Sequence, residues 1–222
     1  MTELLEAIEL ETGPDPRHCV IWLHGLGDDG YGFASIVPEL GLPRAPATRF
    51  LFPHAPMQPV TINNGFVMRA WYDILGNDLE RREDTDGVRA SQGRIEALIA
   101  REKSRGIAAS NLVLAGFSQG GAIALQTGLR HAERIAGIMA LSTYLPIANS
   151  VATERSAANL EVPIFMAHGT QDPMIVLPRA MRSRDNLIEL GYHVEWHEYA
   201  MPHAVFPEEI RDIGSWLKRV LA

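Results

Sequence analysis

The sequence predicts an α/β fold, with a mostly parallel central sheet and helices on both of its faces. Three observations lead there. Short apolar runs, continuous rather than alternating, recur along the chain, and amphipathic stretches fall between them. At one junction between such a run and such a stretch stands Gly116-Phe117-Ser118-Gln119-Gly120-Gly121. Strands covered on both faces read as continuous apolar runs, and amphipathic helices supply the cover.

The elements follow in order. A weak strand near 5–10 opens the chain, and His18-Cys19-Val20-Ile21-Trp22-Leu23 marks the first clear one, at 18–24. A helix is predicted over 32–40 and a second clear strand over 48–52. The segment 53–75 is punctuated by prolines and has no clear period, so it reads as a long loop beside the active site. In a sheet of this kind a long ordered loop is often a binding-site wall. From Val88 to Lys103 the spacing puts Ile95, Leu98 and Ile99 on one face, which predicts a helix over 87–105. Leu112-Val113-Leu114-Ala115 gives a strand at 111–115, followed by a helix over 119–130. Strands at 135–141, 162–168 and 192–199 then alternate with helices at 176–190 and 207–221. At 222 residues, with no repeat or linker, the expectation is one domain over 1–222 without a large cap domain.

Composition narrows the function. Apolar residues make up 46% and charged residues 21%, ordinary values for a globular protein. The net charge of −7 and the lack of a basic run argue against a nucleic-acid partner. The only cysteine, Cys19, lies in an apolar run and reads as a buried, inert thiol. The stretch Met1-Thr2-Glu3-Leu4-Leu5-Glu6 lacks the basic and apolar regions of a signal peptide, and no run is long enough for an integral membrane segment. A cytoplasmic protein is the simplest expectation. No metal-ligand cluster and no phosphate loop is visible, so neither a metal nor a cofactor is expected.

A Gly-x-Ser-x-Gly at a strand-to-helix turn is a nucleophile elbow. The serine hydroxyl is held out of the turn on a strained backbone, and side chains at 116 or 120 would collide with neighbouring elements. A serine nucleophile needs a base, and the base an orienting acid, in this architecture in the order Ser, Asp, His. Asp172 follows the run Ile164-Phe165-Met166, and His203 follows the last strand, so Ser118, Asp172 and His203 form the candidate triad. His24 and His168 each precede a glycine at a strand end, where a histidine often hydrogen-bonds the loop backbone. An oxyanion needs two N–H donors. The residue after the serine, Gln119, offers one, and Leu26 in His24-Gly25-Leu26-Gly27 offers the other.

The same loop spells Gly25-Leu26-Gly27-Asp28-Asp29-Gly30, the pattern of a dinucleotide fingerprint. The acidic residue expected about 20 positions on is missing, and Asp28 and Asp29 would repel a pyrophosphate. An oxidoreductase is therefore disfavoured.

With Leu23-His24-Gly25-Leu26-Gly27-Asp28, Trp71-Tyr72-Asp73, Gly116 to Ala122, His168-Gly169 with Asp172-Pro173, and Met201-Pro202-His203 in hand, the chain resembles the phospholipase/carboxylesterase family of small α/β-hydrolases. That family includes bacterial carboxylesterases and acyl-protein thioesterases. The resemblance runs nearly end to end. It implies the α/β-hydrolase fold, the roles just given to Ser118, Asp172, His203, Leu26 and Gln119, and no cofactor. It also implies that 63–73 lies beside the acyl pocket. The apolar load of 59–73 agrees and puts Phe66, Met68 and Trp71 forward as substrate-binding residues. Met201-Pro202-His203-Ala204-Val205-Phe206 is closer to bacterial esterase members. The main expectation is thus a serine carboxylesterase acting on small-molecule esters of small to medium acyl chains. Two alternatives stand beside it: an acyl-protein or acyl thioesterase or lysophospholipase, and, from another class, a non-catalytic binding protein on the same fold. The oligomeric state stays open, a homodimer being one option.

Overall fold

The apolar runs close into one seven-stranded sheet. The computed structural model describes residues 4–76 and 83–222, so the first three residues of the acidic N-terminal stretch lie outside the described residues. The sheet strands are β1 (Ala7–Glu11), β2 (His18–Leu23) and β3 (Thr48–Pro53), then, after the short ribbon of β4 (Met57–Val60) and β5 (Phe66–Arg69), β6 (Leu112–Phe117), β7 (Gly137–Leu141), β8 (Ile164–Gly169) and β9 (Val194–Tyr199). Their spatial order is β1-β3-β2-β6-β7-β8-β9. Only β1 is antiparallel, pairing at one edge with β3. This is the α/β-hydrolase arrangement that the sequence predicts.

The helices are α1 (Thr85–Ser104), α2 (Gln119–Arg130), α3 (Ala148–Glu154), α4 (Leu177–Glu189) and α5 (Pro207–Val220). Alternate residues of each strand feed two cores. Cys19, Ile21 and Leu23 join α1, α2 and α4 on one face, while Val20 and Trp22 join α5 on the other. Because both sides of every central strand are covered, none shows a polar alternation. Helix α2 packs on β6, β7 and α1 and is buried from Gln119 to Leu129.

Two expectations are corrected. The segment 32–40 is a 3-10 helix, Ala34–Leu40, with Pro38 inside it, since a proline lacks the N–H that an α-helical ladder needs. The segment 53–75 is not a featureless loop: β4 and β5 form an antiparallel hairpin within it. Asp73 ties down the hairpin by accepting from the Thr61 amide at 2.7 Å and from the Thr61 hydroxyl at 2.5 Å. Helix α3 was not foreseen.

The topology locates the site. From β2 the chain steps outward to β3, then returns to place β6 on the other side of β2. Strand order reverses between β2 and β6, and a parallel sheet opens a crevice at the carboxyl ends of strands at such a reversal. The loops leaving those two ends carry His24–Gly27 and Ser118.

Candidate active site

Strand β6 ends at Phe117 and α2 begins at Gln119, which leaves Ser118 alone to turn the chain. It does so at φ 54° and ψ −120°, a conformation costly for any residue with a Cβ. Three hydrogen bonds hold it. The Ser118 amide donates to Leu141 O at 2.8 Å, and its carbonyl accepts from the Thr143 hydroxyl at 2.6 Å and the Ala122 amide at 3.1 Å. The turn is tight enough to require glycine on both sides. A Cβ at Gly116 would lie 2.2 Å from the carbonyl carbon of Gly120, and one at Gly120 would lie 2.2 Å from Leu23 O.

Asp172 and His203 come together from the loops after β8 and β9. His203 Nδ1 lies 2.6 Å from Asp172 Oδ2, and the other carboxylate oxygen accepts the amides of Met174 at 2.8 Å and Ile175 at 2.9 Å. Burial pushes the Asp172 carboxyl up, but His203 and those two amides outweigh it and hold the group below the usual aspartate value. The carboxylate therefore stays charged and can fix the imidazole with its proton on Nδ1, leaving Nε2 free to accept one. The Phe117 ring packs against His203 with centroids 4.6 Å apart.

Ser118, His203, Leu26 and Gln119 all line one cavity of about 600 Å³. The backbone amides of Leu26 and Gln119 donate to no protein acceptor among the described residues, as suits donors kept for a ligand. The Leu26 loop is pinned on both sides. The Gly27 amide donates to Arg69 O at 2.8 Å, and the His24 ring bridges Gly25 O at 2.7 Å and the Ala55 amide at 3.0 Å. An imidazole that must accept from Ala55 is neutral, and burial pulls its pKa down accordingly. His168 likewise bonds backbone, meeting Ile175 O at 2.7 Å. No α-helix starts at Gly30, so the Gly25 to Gly30 pattern lacks the helix that a dinucleotide fingerprint needs.

The remainder of the cavity wall is mostly apolar, with Asp28 and Asn63 among its polar exceptions. Of the three substrate-binding residues expected from sequence, only Met68 is on it. Phe66 sits at the hairpin tip with 68% of its surface exposed, and Trp71 is fully buried behind the wall. The Trp71 indole N–H donates to His24 O at 2.8 Å, which turns the ring inward rather than toward a ligand. Ile62 and Tyr72, from the apolar segment 59–73, are on the wall as well, and sequence reasoning missed Ile74, Tyr144 and Met174 there. The hydroxyls of Tyr72 and Tyr144 meet at 2.7 Å, and the Arg179 guanidinium lies 3.6 Å from the centre of the Tyr144 ring. Among the described residues no group of three or more His, Cys, Asp or Glu could hold a metal ion, and no helix is long and apolar enough to cross a membrane.

Comparison with known proteins gives the family. The model of the phospholipase/carboxylesterase family matches residues 6–221. The chain belongs to that family. Among relatives of this phospholipase/carboxylesterase protein, acyl-protein thioesterase 1 of Yarrowia lipolytica is 41% identical over 205 residues, covering 90% of each chain. Acyl-protein thioesterase 1 of Mycosarcoma maydis is 39% identical over 96% of this chain and 95% of its own. The crystal structure of Arabidopsis thaliana SOBER1 superposes with a TM-score of 0.88 at 32% identity, over 93% of this chain and all of the other. Zea mays acyl-protein thioesterase 2 gives 0.84 at 25% identity, over 98% of this chain and all of its own. Family and relatives make the chain a hydrolase of the ester and thioester class.

Proposed function

We propose that the chain is a serine-dependent acyl thioesterase that also cleaves simple esters. Ser118 Oγ attacks the acyl carbonyl while its proton passes to His203 Nε2. Asp172 holds the imidazole and stabilises its positive charge. The Leu26 and Gln119 amides take the oxyanion. Collapse of the tetrahedral intermediate expels the thiol or alcohol, which receives the proton from His203. Water, activated by the same imidazole, then frees the acid from the acyl enzyme.

The observation that carries the catalytic half is the 2.6 Å contact between His203 and Asp172 beside a cavity that Ser118 also lines. The relatives named acyl-protein thioesterase carry the choice of thioester over the small-ester carboxylesterase that the residues around His203 suggest. The chemistry is compatible, since a cysteine thiol with a pKa of about 8.5 leaves more readily than an alcohol.

The test compares kcat/KM for an S-acylated peptide and a p-nitrophenyl ester of the same acyl chain, with fluorophosphonate labelling alongside. Labelling at Ser118 with thioester turnover at least equal to ester turnover is expected. Labelling with ester turnover alone would return the reading to a carboxylesterase. Absence of both labelling and turnover would leave a binding protein.

A further inference from the structure

We propose that a second cavity, behind the hairpin that walls the candidate active site, binds a phosphate-class dianion. This inference does not rest on the catalytic reading. Successive residues of a strand point to opposite faces, so Met68 and Arg69 face opposite ways from β5. Met68 lines the first cavity and Arg69 the second, which has a volume of about 400 Å³. Arg94, from α1, lines the second cavity too, together with His54, Leu5 and Glu6.

The two arginines are among the described ones that no ion pair engages. Arg49, Arg89, Arg101, Arg105, Arg130, Arg184 and Arg219 each pair with a carboxylate within 4 Å. Arg69 instead donates to Ala55 O at 2.9 Å, and Arg94 reaches the Ser91 hydroxyl at 3.5 Å. Neither has a carboxylate partner among the described residues. His54 adds a donor: its Nδ1 accepts from the Gly30 amide at 3.1 Å, so the proton of the neutral ring sits on Nε2. Among the described residues of the lining, two guanidiniums face a single carboxylate, Glu6, in a protein of net charge −7.

The donor set selects the ligand. Guanidinium forks bind carboxylates and phosphates in pairs of parallel hydrogen bonds. Two forks and an imidazole N–H exceed what one carboxylate can use but suit the three terminal oxygens of a phosphate monoester, a dianion near neutral pH. The source is either a soluble phosphate or a lipid headgroup.

Thermal melts with inorganic phosphate, against chloride at equal ionic strength, test the soluble form. Cosedimentation with phosphatidylcholine vesicles, with and without phosphatidic acid, tests the lipid form. The expected result is a rise in Tm, or retention that requires phosphatidic acid, with affinity lowered at least tenfold in Arg69→Gln and Arg94→Gln and raised in Glu6→Gln. Arg94→Lys, which keeps the charge but loses the fork, should fall between. Ester hydrolysis by Arg94→Gln should equal that of the parent, which certifies its fold. A response to phosphate alone identifies a soluble ligand, and a response to phosphatidic acid alone a headgroup. Absence of both responses overturns the site. So does an undiminished response in Arg69→Gln and Arg94→Gln, since the anion would then be bound elsewhere.

Discussion

The side chain of Gln119 accepts the main-chain amide of Trp71 at 3.0 Å. Its Nε2 also donates to Tyr72 O at 2.7 Å, so one amide group brackets two consecutive residues of the segment that walls the cavity. The residue whose backbone N–H is the proposed oxyanion donor thereby also fixes that wall with its side chain.

Gln119→Ala separates the two roles, because the backbone N–H survives. The Trp71 amide and the Tyr72 carbonyl would be left buried and unpaired, at about 1–3 kcal/mol for each group. A lower denaturation midpoint and a raised KM are expected, with kcat much less affected. A kcat as low as that of Ser118→Ala would mean that the side chain acts in the chemistry itself.

Ser118→Ala should lose turnover by roughly a millionfold. Alanine tolerates the positive φ of Ser118 no better than serine does, so the melting curve should stay close to that of the parent. Asp172→Asn should cost on the order of ten-thousandfold, because it favours the wrong imidazole tautomer while keeping the geometry. Single-turnover kinetics with an ester check both, and rates within tenfold of the parent would remove the residue concerned from the mechanism.

Met68→Ala should move the acyl-length optimum toward longer chains, by roughly tenfold to two-hundredfold between neighbouring substrates, since one methylene in such a pocket is worth about 1–3 kcal/mol. Phe66→Ala should leave the profile unchanged, because that ring projects from the hairpin tip. Specificity constants across an ester series decide, and equal shifts in both variants would contradict the separation.

Glu209 is fully buried at the start of α5, and neither carboxylate oxygen has a hydrogen-bond partner among the described residues. Burial pushes its pKa up to about 8, and the nearby Phe206 amide offsets only part of that cost. Below the ordinary glutamate value both folded and unfolded chains hold this proton, and the group is neutral toward stability. As pH climbs toward 8 the unfolded chain has released it and the folded chain retains it, so stability falls. Glu209→Gln should therefore raise Tm by several degrees at pH 8.5 and hardly at all at pH 4. An equal gain at both values would point to packing rather than to the proton.

Much of this was legible because the signals were local and strong. Cys19 to Leu23 and Leu112 to Ala115 are apolar without alternation, and no surface strand needs that. Gly116 and Gly120 flank Ser118 for a steric reason that spacing alone reveals. The hairpin was harder. Its strands have four residues each, Pro56 and Pro59 interrupt the pattern, and its pairing joins Val60 to Phe66 at the near end and Met57 to Arg69 at the far end. That Phe66 and Trp71 do not line the cavity has the same origin. Apolar content says that a segment buries something, but only the strand register tells which side chains face the cavity. Tyr144 and Met174 reach the wall from loops distant in sequence, where no periodic signal exists.

Cys19 is fully buried in β2, and its surroundings push the thiol pKa well up, so the one sulfhydryl of the chain is shielded from alkylating reagents. A cysteine introduced at Val67, on the exposed side of the hairpin, would then be the sole reactive thiol. A spin label or fluorophore could be attached there without first removing a native residue, and the behaviour of the wall during turnover could be followed directly in solution.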